Sequence, residues 1–452
     1  MTRPARFSMT LLKRAGSFVQ DGAGMNHRKS RVLIALALGL GAPVHAVAAD
    51  PRPQAPWPDP AQRRAHDEFE RQARPFRAAF DALQARKPTL SPEELKDEAA
   101  ALVPRLAALE PAASAPLSRL VYGTWQKDLG TMAGDAALVA HGLQAMLDSG
   151  ALQSNLVPAT TAMLGQIAYL AKDYPTAIRV LSPQLGNAQV ADAVPEMVAD
   201  ARAAQGNPVA GLEALNTAIT ARQAAGAMVP EAWYARGAAI AYGAHLLREA
   251  ADWSARQLAA DPAPLNWLRA VQTARAAQSP SSAADALEWG RLLDRSGALK
   301  TPARYLASEY AAYLQVSDGR EARHMAEQAI ADGVLKPDDP AVKTVLDKPP
   351  PPAIATKLTA DPTGKAALAA ADLALSNGDA AQAEQLCTMA LAKAGGDADL
   401  DRLLALLGMA QLDQGKIAEA RATFARISAQ REGVTRLWLI LADQRAAKQP
   451  IR

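Results

Sequence analysis

The chain has 452 residues, of which 49% are hydrophobic, 21% charged and 5% aromatic, and its formal net charge is +3. This balance excludes a disordered chain and a membrane protein with several spans. The length predicts about three domain equivalents or one elongated repeat array. Because alanine is abundant and aromatic residues are few, close-packed helices are favoured over β-sandwiches and barrels, and we predict an all-α fold.

The N-terminal segment has the pattern of an export signal. A basic stretch at 27–31 precedes an apolar run at 32–42, and small residues follow at 46–48. An apolar run of about 11 residues is too short for a bilayer, which needs about 20, so we predict a cleaved signal peptide over 1–48 and no transmembrane span after its removal. Met25 is the translation start that best fits this leader. The predicted location is the periplasm.

Removal of the leader changes the charge balance. Residues 1–48 hold seven basic residues and one acidic residue, which leaves 42 basic against 45 acidic residues and a net charge of about −3. The chain without its leader therefore lacks the overall positive charge that attracts nucleic acid. We predict no nucleic-acid partner.

The chain has one cysteine, Cys387. A single cysteine cannot form an internal disulfide and cannot alone supply a structural zinc site. We predict that this thiol is buried, and a reactive thiol is the alternative.

Residues 49–60 are rich in proline, which predicts an extended tether. An N-terminal helical region is predicted for 61–155. Its first helix carries four large apolar residues: Phe69, Phe76, Phe80 and Leu83. Their spacing places them on one helical face. This face either docks on the rest of the protein or binds a partner, a second copy included.

Similar residues recur 34 positions apart in the second part of the chain. Leu164-Gly165 is followed by Val198-Ala199, and Trp233 by Trp267. This period predicts a repeat of two helices, in which each unit buries its apolar faces only against its neighbours.

The pattern within these units resembles that of tetratricopeptide repeats. The resemblance is carried by two sets of small and bulky residues: Gly165 with Ala177 and Leu181, and Gly408 with Ala420 and Phe424. The small residues would let two helices approach closely, and the bulky ones would fill the gap between them. The resemblance implies a right-handed α-solenoid of helical hairpins.

A proline run divides the predicted solenoid. The first block is predicted for 156–347, and the break for 348–361, because four consecutive prolines cannot continue a helix. The second block is predicted for 362–452. Its last amphipathic segment, 434–447, is expected to cap the stack, since a terminal repeat must cover an exposed core face.

In tetratricopeptide repeats the ligand groove is lined by the first helix of each pair. Matching this arrangement onto the chain implies eight partner-binding residues: Gln166, Tyr169, Glu196, Asp200, Tyr234, Tyr242, Gln272 and Arg275. The aromatic stretch from Trp233 to Trp267 is also suited to stacking on sugar rings, but core packing explains its tryptophans better.

Patterns for catalysis and metal binding are missing. The histidines after the leader are scattered: His66, His141, His245 and His324. None has a metal-ligand spacing, and no phosphate-binding loop or nucleophile elbow occurs. Asp200 with Glu196 is the pair of carboxylates most suited to glycoside cleavage, although their spacing is ordinary on a solvated helix face. We predict a protein that is not an enzyme and has no cofactor or metal.

These observations predict a periplasmic scaffold or adaptor that binds a protein partner in a concave groove, in cell-envelope assembly or export. One alternative is a module that binds envelope glycans, which requires a row of exposed aromatic side chains. The other is an enzyme of carbohydrate or peptidoglycan turnover, which requires two carboxylates in a closed cleft. Self-association is a further expectation.

Overall fold

The computed structural model describes residues 59–278, 282–348, 364–393 and 399–448. Within these ranges the chain forms 20 α-helices, a few short 3-10 segments and no strand. The predicted all-α class is confirmed. Three predicted segments lie wholly or almost wholly outside the described residues: the signal peptide at 1–48, the tether at 49–60 and the proline-rich break at 348–361.

The chain divides into two compact units, one ending at Met228 and the other beginning at Val229. Within each unit, most helices pack against the next helix in the chain. The finer boundaries expected from the sequence, 61–155, 156–347 and 362–452, stay predictions.

The first unit contains eight helices in its described part. In chain order they are α1 (Pro60–Arg86), α2 (Pro92–Ala107), α3 (Pro116–Ala133), α4 (Ala136–Asp148), α5 (Val157–Leu170), α6 (Tyr174–Leu181), α7 (Ala193–Ala204) and α8 (Pro208–Ala224). Helix α1 also packs against α3, and α5 packs against α7. The unit is therefore a series of packed helix pairs.

Helix α1 is fixed by its start and by its apolar face. Its N-cap Asp59 accepts a hydrogen bond from the Ala61 amide at 2.8 Å, which satisfies one of the free donors of the first turn. Phe69 is fully buried, and its ring lies 5.8 Å from that of Trp125 in α3, while Phe76 lies 5.3 Å from the same ring. The docking interpretation is confirmed, and packing within the unit covers this face.

The second unit contains twelve helices in its described part. They are α9 (Glu231–Gly243), α10 (Leu247–Ala260), α11 (Pro264–Ala277), α12 (Ala283–Ser296), α13 (Ala307–Val316), α14 (Gly319–Ala331), α15 (Pro340–Leu346), α16 (Lys365–Ser376), α17 (Ala380–Lys393), α18 (Leu400–Asp413), α19 (Ile417–Phe424) and α20 (Glu432–Lys448).

In the packed pairs a small residue of the first helix faces a bulky residue of the second. A Cβ added to Gly165 would lie 2.2 Å from Leu181 Cδ2, and one added to Gly408 would lie 2.4 Å from Phe424 Cε1. Carbon atoms in contact are normally about 3.5–4.0 Å apart, so these helices approach closely only because no side chain stands between them. The predicted alternation of small and bulky residues is confirmed for both pairs.

The last helix of the second unit packs against early helices of the same unit. Helix α20 contacts α10, α11 and α12 as well as α19. Trp438 Nε1 donates to Glu288 of α12 at 3.0 Å, and Trp267 Nε1 of α11 donates to Gln444 at 3.2 Å. The segment 434–447, expected to cap the stack, thus contributes the fully buried Trp438 to the core of the unit.

Candidate functional site

Four of the predicted groove residues lie on two neighbouring helices of the first unit. Gln166 and Tyr169 are on α5, and Glu196 and Asp200 are on α7. All four side chains are partly exposed. The Tyr169 hydroxyl lies 3.1 Å from Asp200 Oδ2 and donates a hydrogen bond to it, which links the two helices. Tyr169 and Asp200 thus meet across α5 and α7, and Gln166 and Glu196 lie about one turn earlier on the same two helices.

The turn between α5 and α6 positions the aromatic end of this surface. Lys172 has a left-handed backbone conformation, with φ of 60°. Asp173 then caps α6 by accepting a hydrogen bond from the Thr176 amide at 3.2 Å. This tight turn brings the Tyr174 ring to 6.1 Å from the Tyr169 ring. The aromatic pair therefore lies at the end of α5 next to Asp200.

The other four predicted residues lie in the second unit, and their side chains differ in exposure. Tyr234 is buried, and its ring lies 6.4 Å from that of Trp253. The Arg256 guanidinium covers both rings, at 5.4 Å and 4.2 Å from their centroids. Tyr242 is partly exposed near the end of α9. Tyr234 is therefore a packing residue with little surface for a partner.

Gln272 and Arg275 meet at a carboxylate that the sequence analysis missed. Gln272 Nε2 and an Arg275 guanidinium nitrogen both donate to Glu309 of α13, each at 3.0 Å. A small cavity of about 50 Å³ lies beside them and is lined by Trp289 and Tyr313 among others. Because Glu309 follows Gln272 by 37 residues, no local pattern could have indicated the contact.

A buried ionic network surrounds α12, and sequence reasoning missed it as well. We call it the Arg291 network: Arg291, Glu321, Asp372, Ser376 and Arg402. Arg291 is almost fully buried and donates to Glu321 at 3.0 Å, to Asp372 at 2.6 Å and to the Ser376 hydroxyl at 2.9 Å. Asp372 also pairs with Arg402 at 2.5 Å. The two arginines and two carboxylates balance in charge.

The electrostatics of this network favour fixed charges. Burial alone would raise the pKa of Glu321, but the charge and hydrogen bonds of Arg291, the Tyr313 hydroxyl and the charge of Arg295 together outweigh burial and hold that pKa below its ordinary value. Burial would likewise lower the pKa of Arg291, and the carboxylates of Glu321 and Asp372 raise it instead. Both partners therefore stay ionised near neutral pH. The network therefore links α12, α14, α16 and α18 through ion pairs and hydrogen bonds.

Two further findings concern the whole described part of the chain. It contains no group of three or more histidine, cysteine, aspartate or glutamate side chains that could hold a metal ion. None of its helices combines the length and apolarity needed to cross a membrane. Cys387 is fully buried, as predicted, and burial raises the pKa of its thiol to about 12.

The fold and these surfaces define an all-α protein of packed helix pairs, compatible with a helical repeat. No protein-family model matches the chain, and no curated protein matches it either.

Proposed function

We propose that the protein is a periplasmic scaffold or adaptor of the tetratricopeptide-repeat type, a right-handed α-solenoid that binds a protein partner along the first helices of its pairs. The observation that carries this proposal is the adjoining surface on α5 and α7. There, Gln166, Tyr169, Glu196 and Asp200 are all partly exposed, and Tyr169 contacts Asp200 across the two helices. An extended or helical peptide lying across both helices would contact all four.

The character of this surface supports a peptide ligand. Tyrosine offers a broad apolar ring with a polar tip, a combination common in protein interfaces. Met163 lies one helical turn before Gln166 and is 42% exposed, so it adds an adaptable apolar contact. The surface therefore combines apolar anchors with groups that can form hydrogen bonds.

The aromatic residues considered for a glycan-binding module do not support that alternative. Trp233, Trp253 and Trp267 are all buried, as the core-packing interpretation predicts. A buried indole has no free face for a sugar ring. The protein-binding role is therefore the better supported one.

Site-specific photo-cross-linking in living cells tests the proposal. A photoreactive phenylalanine analogue replaces Gln166, Glu196 or, as the control, Glu213, which is exposed on the second helix α8. We expect positions 166 and 196 to capture the same protein and position 213 not to capture it. Equal capture at all three positions, or none at any of them, would contradict the proposed surface.

Cell fractionation tests the proposed location. We expect the mature protein in the periplasmic fraction, with an N-terminus close to residue 49 when it is determined by mass spectrometry. A full-length product confined to the cytosol would rule out export.

A further inference from the structure

A cavity of about 50 Å³ lies where α11, α12 and α13 meet, and its inner walls are apolar. Trp289, Leu293 and Tyr313 form these walls, and none of the three is more than 3% exposed. A Cβ added to Gly290 would lie 2.3 Å from Cδ2 of Tyr313, so the ring lies directly against the backbone of α12. The Tyr313 hydroxyl also donates to Glu321 at 2.6 Å. Packing and this hydrogen bond therefore fix the walls in place.

The polar edge of the cavity is the side chain of Arg275. Its Nε atom is buried and has no hydrogen-bond partner in the described part of the chain. A buried donor without an acceptor loses its hydration and gains no bond in return, which costs free energy. An acceptor that binds in the cavity would remove this cost. The cavity therefore favours a ligand with a hydrogen-bond acceptor.

The charges around the cavity favour a neutral ligand. Arg275 pairs with Glu309 at 3.0 Å, and the Glu309 side chain is only 7% exposed. An anion in the cavity would lie close to this buried carboxylate, and a cation would lie close to the guanidinium. Each would therefore be repelled by one member of the pair. A neutral carbonyl oxygen accepts a hydrogen bond without either penalty.

The volume of the cavity limits the size of the ligand. A cavity of about 150 Å³ holds a benzene molecule, so about 50 Å³ holds about two or three carbon atoms. Two small residues also line the cavity, of which Ala286 is partly exposed and Ala312 exposed. A short aliphatic group can therefore enter from solvent past these alanines, whereas an aromatic ring is too large.

A polypeptide offers this combination of groups at every short aliphatic residue, because a neutral backbone carbonyl lies next to each side chain. We propose that the cavity receives a valine of the partner protein, whose backbone carbonyl accepts a hydrogen bond from Arg275 Nε. Arg275 and Gln272 are also two of the positions that the tetratricopeptide resemblance implies for partner binding. This inference rests on the proposed function, which it extends by naming the residue that anchors the partner.

Titration with blocked amino acids is the first test. It needs no partner protein, so its failure is distinguishable from a failure of the cross-linking experiment. The probes are the N-acetyl-N′-methylamides of valine, glycine and phenylalanine, and the Trp289 indole signal of the full-length protein, assigned with Trp289→Phe, reports their binding by NMR. We expect the valine derivative to bind at least tenfold more tightly than the other two, because glycine has no side chain and the phenyl ring exceeds the cavity. Equal affinities, or no shift of the Trp289 signal, would overturn the proposal.

Filling the cavity is the second test. Ala312→Leu places a larger side chain at its opening and should weaken binding of the valine derivative at least tenfold. The matched control is Ala307→Leu, the same change at an exposed position of α13 outside the cavity lining, which should leave binding unchanged. If the melting temperature shows that Ala312→Leu does not fold, Ala286→Leu replaces it. Unchanged binding to a folded variant with a filled cavity would refute the proposed site.

Two comparisons test the hydrogen bond and the source of the ligand. Arg275→Lys keeps a positive charge opposite Glu309 but has no Nε, so it should bind the valine derivative about threefold to tenfold more weakly. Isovaleramide is a free neutral amide with the same aliphatic group, and without the flanking peptide backbone it should bind about threefold more weakly, or less, than the valine derivative. Unchanged binding to Arg275→Lys would contradict the hydrogen bond. Equal binding of isovaleramide would indicate a site for a free small molecule and overturn the polypeptide ligand.

Discussion

Replacement of Gly237 by alanine tests the close approach of helices that underlies the whole fold. A Cβ at Gly237 of α9 would lie 2.2 Å from Cε3 of Trp253 in α10. Normal carbon contacts are about 3.5–4.0 Å, so the indole would have to retreat by more than about 1 Å. Trp253 is buried beneath the Arg256 guanidinium, which restricts such a movement. Gly243, in the same helix, has no neighbour within 4 Å of an added Cβ and serves as the matched control.

Substitution by alanine should therefore destabilise the protein at Gly237 but not at Gly243. Overpacking a core costs about 1–3 kcal/mol, and alanine regains up to about 1 kcal/mol of helix propensity. We expect Gly237→Ala to lower the free energy of unfolding by up to about 2 kcal/mol. Gly243→Ala should leave it unchanged or raise it by less than about 1 kcal/mol. Urea denaturation followed by tryptophan fluorescence measures both effects.

A second substitution separates the steric clash from other effects of alanine. In Trp253→Leu the smaller side chain leaves room for the added methyl group. We expect Gly237→Ala to be clearly less harmful in that background, which gives a favourable coupling in a double-mutant cycle. If Gly237→Ala proves as stable as Gly243→Ala in the unaltered background, the close-approach argument is wrong.

Three further predictions concern an ionic network, a core contact and a strained turn. The pKa of Glu321 is lowered from 4.5, so its ionised form stabilises the fold above that pH. Glu321→Gln breaks the pair with Arg291 and should cost about 3 kcal/mol between pH 7 and 5. In denaturation curves this loss of stability should shrink below pH 4.5. Phe69→Ala removes a fully buried ring stacked on Trp125 and should cost about 3–5 kcal/mol, measured by chemical denaturation, whereas a loss under 1 kcal/mol would contradict the described packing. Lys172→Gly relieves a left-handed residue and should raise stability by up to about 1 kcal/mol, seen as a higher melting temperature; a lower one would show that the turn is not strained.

The parts of the fold that could be predicted depend on short-range periodicity. Phe69 and Phe76 are seven residues apart, so their common face follows from helix geometry alone. Gly165 and Leu181, like Gly408 and Phe424, are sixteen residues apart, which is the interval from the first helix of a pair to the second. The sequence therefore indicated each pair from residues within it.

The parts that could not be predicted depend on contacts between distant segments. Arg291 and Asp372 are 81 residues apart, and Trp438 follows Glu288 by 150 residues. Each of these charged residues alone looks like an ordinary solvated helix residue, and only the packing of the second unit buries it. Tyr234 is the converse case, because the resemblance implied a groove position and the side chain is buried.

The same sixteen-residue spacing explains the position of the single cysteine. Ala371 of α16 precedes Cys387 of α17 by the interval that separates Gly408 from Phe424, so the thiol occupies the place of the bulky core residue. With its pKa raised to about 12, this thiol is almost entirely protonated and shielded from alkylating reagents while the pair is closed. The Cys387 thiol therefore reports whether the α16/α17 pair is closed. A maleimide would label this thiol only in molecules whose α16/α17 pair has opened, in the cell as well as in the test tube.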